Sequence, residues 1–200
     1  MPATSTTQIA NLALSHLGIG MEISDLGTEN STEAAACRLH YQPVLDTLLE
    51  RHPWAWANAT ATLALVDEDP TQEWTYSYRL PVNCAAPRRI LSPLGHMDPN
   101  PIPFLRVDDA SGGLIYCDEA EPVLEYTKLI TNVALFPMVF VRALEWALAE
   151  QIAELLSAKP ERAERARQMA EDWILKAMAA DGNQSRNQAM PDSEFMRARL

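Results

Sequence analysis

Apolar side chains recur every three or four positions at both ends of this chain and every two positions through its middle. The first period is that of a helix with one buried face, and the second that of a strand. From Thr6 to Leu17 the residues Ile9, Leu12, Ala13, Leu14 and Leu17 form one stripe, and Gly18 is a stop signal. A second helix is expected from a cap at Asn30, with Glu33 as its capping-box partner. Ala34, Cys37, Tyr41, Val44, Leu45, Leu48 and Leu49 make its buried face, and Pro43 within it predicts a kink.

Between Ala59 and Ile130 the texture changes, and eight of the fourteen prolines fall from Pro70 to Pro122. Short runs at Thr60 to Val66, Trp74 to Leu80, Arg89 to Leu94, Phe104 to Val107, Leu114 to Cys117 and Val123 to Leu129 read as antiparallel strands. Ser111-Gly112-Gly113 reads as a hairpin turn. The helical period then returns, from Pro137 to Ser157 and from Pro160 to Ala180, with Gly182 as the end. Phe136, Met138, Phe140, Val141, Leu144, Trp146 and Leu148 cover more than one helical face, so this helix must be packed on several sides, by its own chain or by a neighbour. The polar run Asn183 to Gln188 and the apolar, basic ending Phe195-Met196-Arg197-Ala198-Arg199-Leu200 read as an arm.

The expected fold is therefore α+β and mainly α, an antiparallel helical bundle with an inserted small antiparallel β-sheet domain and an extended C-terminal arm. Residues 1–58 and 131–182 would form a discontinuous helical domain, 59–130 the β-rich insert and 183–200 the arm. Where the second helix meets the strands stands Arg51-His52-Pro53-Trp54-Ala55-Trp56-Ala57-Asn58. Pro53 disfavours helix at His52, and two indoles follow that something must cover. Pro53, Trp54 and Trp56 are read as a structural joint pinning the helices to the sheet, and His52 as a residue that meets the last helical carbonyls.

Acids outnumber bases 27 to 16, a net charge of −11 that argues against a nucleic-acid-binding surface. Three distant cysteines, Cys37, Cys84 and Cys117, give no disulfide framework and fit a reducing compartment. The N-terminus lacks the pattern of a signal peptide, and the charges at Arg142, Glu145, Glu150 and Glu154 exclude a membrane span from the most apolar stretch.

Cys37 and His40 lie three apart on one helix, but zinc needs three or four ligands and no companion pair exists. A catalytic dyad would also lack oxyanion donors and a third orienting group. Asp67-Glu68-Asp69 and Asp118-Glu119-Ala120-Glu121 read as solvated loop acids and match no calcium loop. No catalytic, cofactor-binding or metal residue is assigned, and no cofactor is expected. A soluble hydrolase using the loop carboxylates, or a helical scaffold or ligand-binding module, are the alternative classes.

Taken in order, Ile9-Ala10-Asn11-Leu12-Ala13-Leu14, Leu17-Gly18, Ala34-Ala35-Ala36-Cys37 and Tyr41 introduce the run Asp46 to Ala57, Asp-Thr-Leu-Leu-Glu-Arg-His-Pro-Trp-Ala-Trp-Ala. Tyr76-Ser77-Tyr78-Arg79-Leu80-Pro81-Val82-Asn83-Cys84, Phe136-Pro137 and the ending Pro191 to Arg199 follow. This series resembles the head-to-tail adaptor (connector) proteins of tailed bacteriophages, of the tail tubular protein A type. The resemblance implies a structural virion protein and not an enzyme. It implies a homo-oligomeric ring, a dodecamer, between the portal protein and the tail tube or nozzle protein. Genomic DNA would pass through its channel without specific binding, and no membrane would be involved. It further implies that Phe195, Met196, Arg197 and Arg199 contact the portal.

Overall fold

The computed structural model describes residues 5–92, 102–156 and 159–185. Helix α1 (Thr6–Leu17) is capped by the Ser5 hydroxyl, which accepts the Gln8 N–H, and it ends at Gly18 with φ +68°. That left-handed conformation favours glycine, and its N–H returns to the carbonyls of Leu14 and Ser15. Arg162 adds a hydrogen bond of 2.7 Å to the Leu17 carbonyl. Helix α2 (Thr32–Arg51) starts one residue later than the sequence suggests, because Ser31 and not Asn30 caps it through the Ala34 N–H. It runs through the exposed Pro43.

Seven strands follow: β1 (Asn58–Thr62), β2 (Ala64–Thr71), β3 (Trp74–Arg79), β4 (Cys84–Ile90), β5 (Leu105–Asp109), β6 (Gly112–Cys117) and β7 (Val123–Lys128). They form two antiparallel sheets, one ordered β1-β7-β4 and one β2-β3-β6-β5. The run read as one strand, Thr60 to Val66, is two. Leu63 lies between them, and the chain changes sheet there while its N–H still bonds the Pro122 carbonyl. The β5–β6 turn is set one residue early, with Asp109 opposite Gly112 and Gly112 at φ +127°.

Helix α3 (Met138–Ala153) is the centre of the helical layer and packs against α1, α2 and α4 (Pro160–Ser185). Its breadth of apolar surface is taken up within the chain, since Phe140, Val141, Leu144, Leu148 and Ile152 are all buried. Helix α4 continues past Gly182, so residues 183–185, expected in the arm, are helical.

The expectation of a mainly α bundle is overturned. Among the described residues there are four helices and seven strands, about 46% helix and 26% strand, which is a mixed α/β fold. The physical reason is that the sheet helps to complete the helical core: Ala85 of β4 belongs to the same buried cluster as Leu14, Leu45, Trp54 and Leu144, and Leu129 and Ile130 pack on it. A second cluster, with Leu63, Tyr78, Ile115, Leu124 and Tyr126, lies among the strands of both sheets. Among the described residues no helix is long and apolar enough to cross a membrane.

Candidate functional site

The end of α2 leaves carbonyls that the helix itself cannot satisfy. Pro53 forces His52 into extended geometry, φ −142° and ψ 144°, which turns the chain and swings Trp54 inward. Trp54 is 1% exposed. Its indole Nε1–H donates to the Leu48 carbonyl at 2.7 Å. Arg88 of β4 serves the next ones, its Nη2 donating to the carbonyls of Leu49, Glu50 and His52 at 3.2, 3.0 and 2.9 Å. Its Nε donates to Thr127 Oγ1 of β7 at 2.8 Å. One guanidinium therefore closes a helix end and ties it to the three-stranded sheet, and its burial pulls its pKa down.

The aromatic side of the joint faces α3. Trp54 meets Phe140 edge-on at 5.1 Å between centroids, and Trp56 meets Phe136 at 5.6 Å and Phe140 at 4.8 Å. These are favourable tilted geometries. The aromatic contacts of both indoles thus run to the start of α3 and to His52, while the tie to the sheet is made by Arg88. From α4 the buried Asp181 accepts the Ala55 N–H with both carboxylate oxygens at 3.0 Å and lies 3.3 Å from His52 Nε2. His52 therefore faces a carboxylate, and the carbonyls expected to engage it are held by Arg88. Pro53, Trp54 and Trp56 come together with Arg88 and Asp181 into a knot of α2, α3, α4 and sheet.

A second constellation locks α1 to α3. Glu145 is fully buried, and its Oε1 receives His16 Nε2 at 3.1 Å and Arg142 Nη1 at 2.6 Å. The His16 ring lies flat on Trp146, 3.6 Å between centroids and 7° from parallel. Glu145 Oε2 has no hydrogen-bond partner among the described residues. A carboxylate shut away from solvent and engaged by an imidazole from α1 and a guanidinium from α3 suits holding two helices in register.

Phe195, Met196, Arg197 and Arg199 lie outside the described residues. Cys37 is in the core, its thiol pushed up to about 11 by burial, while His40 lines an open groove of about 240 Å³ between α2, α3 and α4. Cys84 is likewise pushed up to about 11. Among the described residues no group of three or more His, Cys, Asp or Glu could hold a metal ion. Asp67, Glu68, Glu119 and Glu121 are exposed or nearly so, and Asp118 is occupied by the backbone and hydroxyl of Thr75. Asp67, Glu68 and Asp69, expected in a loop, lie in strand β2, whereas Asp118 to Glu121 lie in the connection between β6 and β7.

Sequence reasoning missed Arg88 and Asp181. Arg88 sits in a stretch of small residues, Cys84-Ala85-Ala86-Pro87, where a long cation has no local reason to be. Asp181 stands near the C-terminal end of a helix, where the dipole disfavours an acid, and that conflict signals a specific partner. Neither the family models nor the curated proteins compared with this chain match it.

Proposed function

We propose that this chain is a structural subunit of a tailed-bacteriophage virion, a head-to-tail adaptor whose copies form a ring between the portal protein and the tail. It would close the capsid vertex and continue the DNA channel, with no reacting centre, cofactor or metal. The observation that carries this reading is the knot at residues 48–57. The run with the clearest resemblance, Asp46 to Ala57, is the segment that ties α2, α3, α4 and the sheet into one unit.

Asp181 fastens the far end of α4 to that knot, and residues 186–200 follow four residues on. A firm body with a short apolar and basic ending suits attachment to a larger partner by a peptide, with Phe195, Met196, Arg197 and Arg199 as portal contacts. The balance of −11 suits a channel wall that must release DNA, since like charge lowers adhesion to phosphate. The tail tube or nozzle protein would bind below. The buried face of α3 is satisfied by this chain's own helices, so contacts between copies must use other surfaces.

The test is attachment. Portal rings are mixed with the full chain or with a chain lacking Met190 to Leu200, and complexes are separated by size. Full-length protein should co-migrate with portal and the truncated protein should not, with unchanged thermal midpoint. Equal attachment of both would remove the arm from this role. Failure of the full chain to attach to any portal would remove the adaptor reading.

A further inference from the structure

Of the four outer strands of the two sheets, three are guarded against another chain. Strand β2 carries Asp67, Glu68, Asp69 and Pro70 and two breaks in register. Strand β4 carries Pro87, Arg88 and Arg89, two further breaks, and a bridge from Ile90 to Ile102. Strand β5 packs Arg106, Asp108 and Asp109 into five residues. Charges, proline and bulges are the devices that keep a sheet edge from pairing. Strand β1, Asn-Ala-Thr-Ala-Thr, has none of them, and its pairing with β7 is unbroken from Asn58 to Thr62.

One bond fixes which groups of β1 face outward. Leu63 N–H donates to the Pro122 carbonyl, opposite it in the register that continues β1, so Leu63, Ala61 and Ala59 turn their backbone groups toward β7. Thr60 and Thr62 turn theirs to the open side, and both residues are exposed. Asn58 shares that side, but its N–H is already spent on the Ala55 carbonyl, so it offers only its C=O.

We propose that β1 pairs with β1 of a second copy of this chain, antiparallel across a two-fold axis at Thr60. A strand laid antiparallel on itself about its middle residue overlaps over its full length. In that register the two Thr60 residues exchange both N–H···O bonds, and each Thr62 N–H donates to the Asn58 carbonyl of the other copy. The one donor the register leaves out, Asn58 N–H, is the one already spent within the chain. The side chains fit the same arrangement. On one face Ala59 stands opposite Ala61 of the other copy, and small side chains let the strands close. On the other face Thr60 meets Thr60 and Asn58 meets Thr62, polar pairs with no like charges opposed. This self-match is what selects a second copy as the occupant.

A contact closed by a two-fold axis leaves no β1 edge free, so association stops at a pair. It engages a strand of only five residues in each copy. The pair is therefore weak, with a Kd on the order of 10 µM to 1 mM. This inference does not rest on the adaptor reading. If both hold, the pair parts before copies enter a ring, because a two-fold contact cannot propagate around one.

Sedimentation of the full chain without portal, from about 5 µM to about 2 mM, tests it beside full-length Thr60→Lys and Thr60→Glu. The parent should pass from single copies to pairs across that range. Either variant alone sets like charges on residues about 5.5 Å apart at the axis and should associate at least about tenfold more weakly. An equimolar mixture of the two sets opposite charges there and should recover the parent's association. In amide exchange Thr60 and Thr62 of the parent should slow as concentration rises, whereas Ala59 and Ala61, held by β7, should stay protected in all three proteins and report an intact sheet. A parent that remains single throughout overturns the proposal, as does self-association that both variants retain or that mixing fails to restore. Protection of Thr60 and Thr62 that persists undiminished on dilution assigns the edge to the same chain and overturns it too. Portal attachment, kept or lost, bears on the adaptor reading alone.

Discussion

Replacing Arg88 by Met isolates the tie between α2 and the sheet. The guanidinium Nη2 has two hydrogens for three carbonyls, those of Leu49, Glu50 and His52, so it is counted as two bonds, and Nε adds a third to Thr127. Bonds from a charged donor contribute about 1.5–3 kcal/mol each. The Glu50 carbonyl is near solvent, where water replaces much of what is lost, and the substitution relieves the burial of a cation. Against this, the Thr127 residue is 1% exposed and its hydroxyl is left without Arg88, costing about 1–3 kcal/mol. The expected net loss is about 2–4 kcal/mol, read as a lower urea midpoint at constant slope. Thr127→Val in the Arg88→Met background should recover about 1 kcal/mol, because the orphaned hydroxyl is gone. Arg89→Met, next in sequence but paired with Glu125 at the surface, should cost no more than about 1 kcal/mol. An Arg88→Met protein within about 0.5 kcal/mol of the parent, or an equal loss in Arg89→Met, would refute the capping account.

Trp54→Ala should cost about 3–5 kcal/mol, and Trp54→Phe, which keeps an aromatic ring against Phe140 but drops the bond to Leu48, about 1–3 kcal/mol. Equal losses in the two would show that the indole N–H carries the effect and the packing none. Asp109, held down to about 2 chiefly by its hydrogen bond from Arg79, has a folded pKa below its ordinary 3.8. Its contribution to stability is fully present above 3.8 and lost as pH falls toward 2. Acid titration of the thermal midpoint should therefore be shallower between about pH 4 and 2 in Asp109→Asn, and an unchanged slope would disprove the linkage.

What the sequence made legible was local. Helix α1 could be read to the residue because its apolar stripe and the Gly18 stop lie within ten positions, Ile9 to Gly18. The start of α4 at Pro160 was legible for the same reason, but its end was not. Gly182 costs a helix about 1 kcal/mol, and the helix nevertheless continues beyond Asp181, which is held by Ala55 at a separation of 126 residues. The division at Leu63 carries no Gly, Pro or Asn signal, and what changes there is the partner strand, from β7 to β3. Strand β4 begins five residues before the expected run because Pro87, which argues against a central strand, sits on an edge and at a break in register. Of the joint, Pro53 and Trp54 were visible in the linear chain. Arg88 and Asp181 were not, because a side chain that caps a distant helix leaves no periodicity.

Helix α4 is fastened at two distant points, Arg162 to the Leu17 carbonyl and Asp181 to the Ala55 N–H. Asp181 stands nineteen positions after Arg162, about 28 Å of helix, so α4 acts as a gauge rod whose length and phase must both be right. Adding or removing a single residue between them would turn the far anchor by about 100° and shift it by about 1.5 Å. Exposed positions along the rod are free to change identity, whereas its residue count is not.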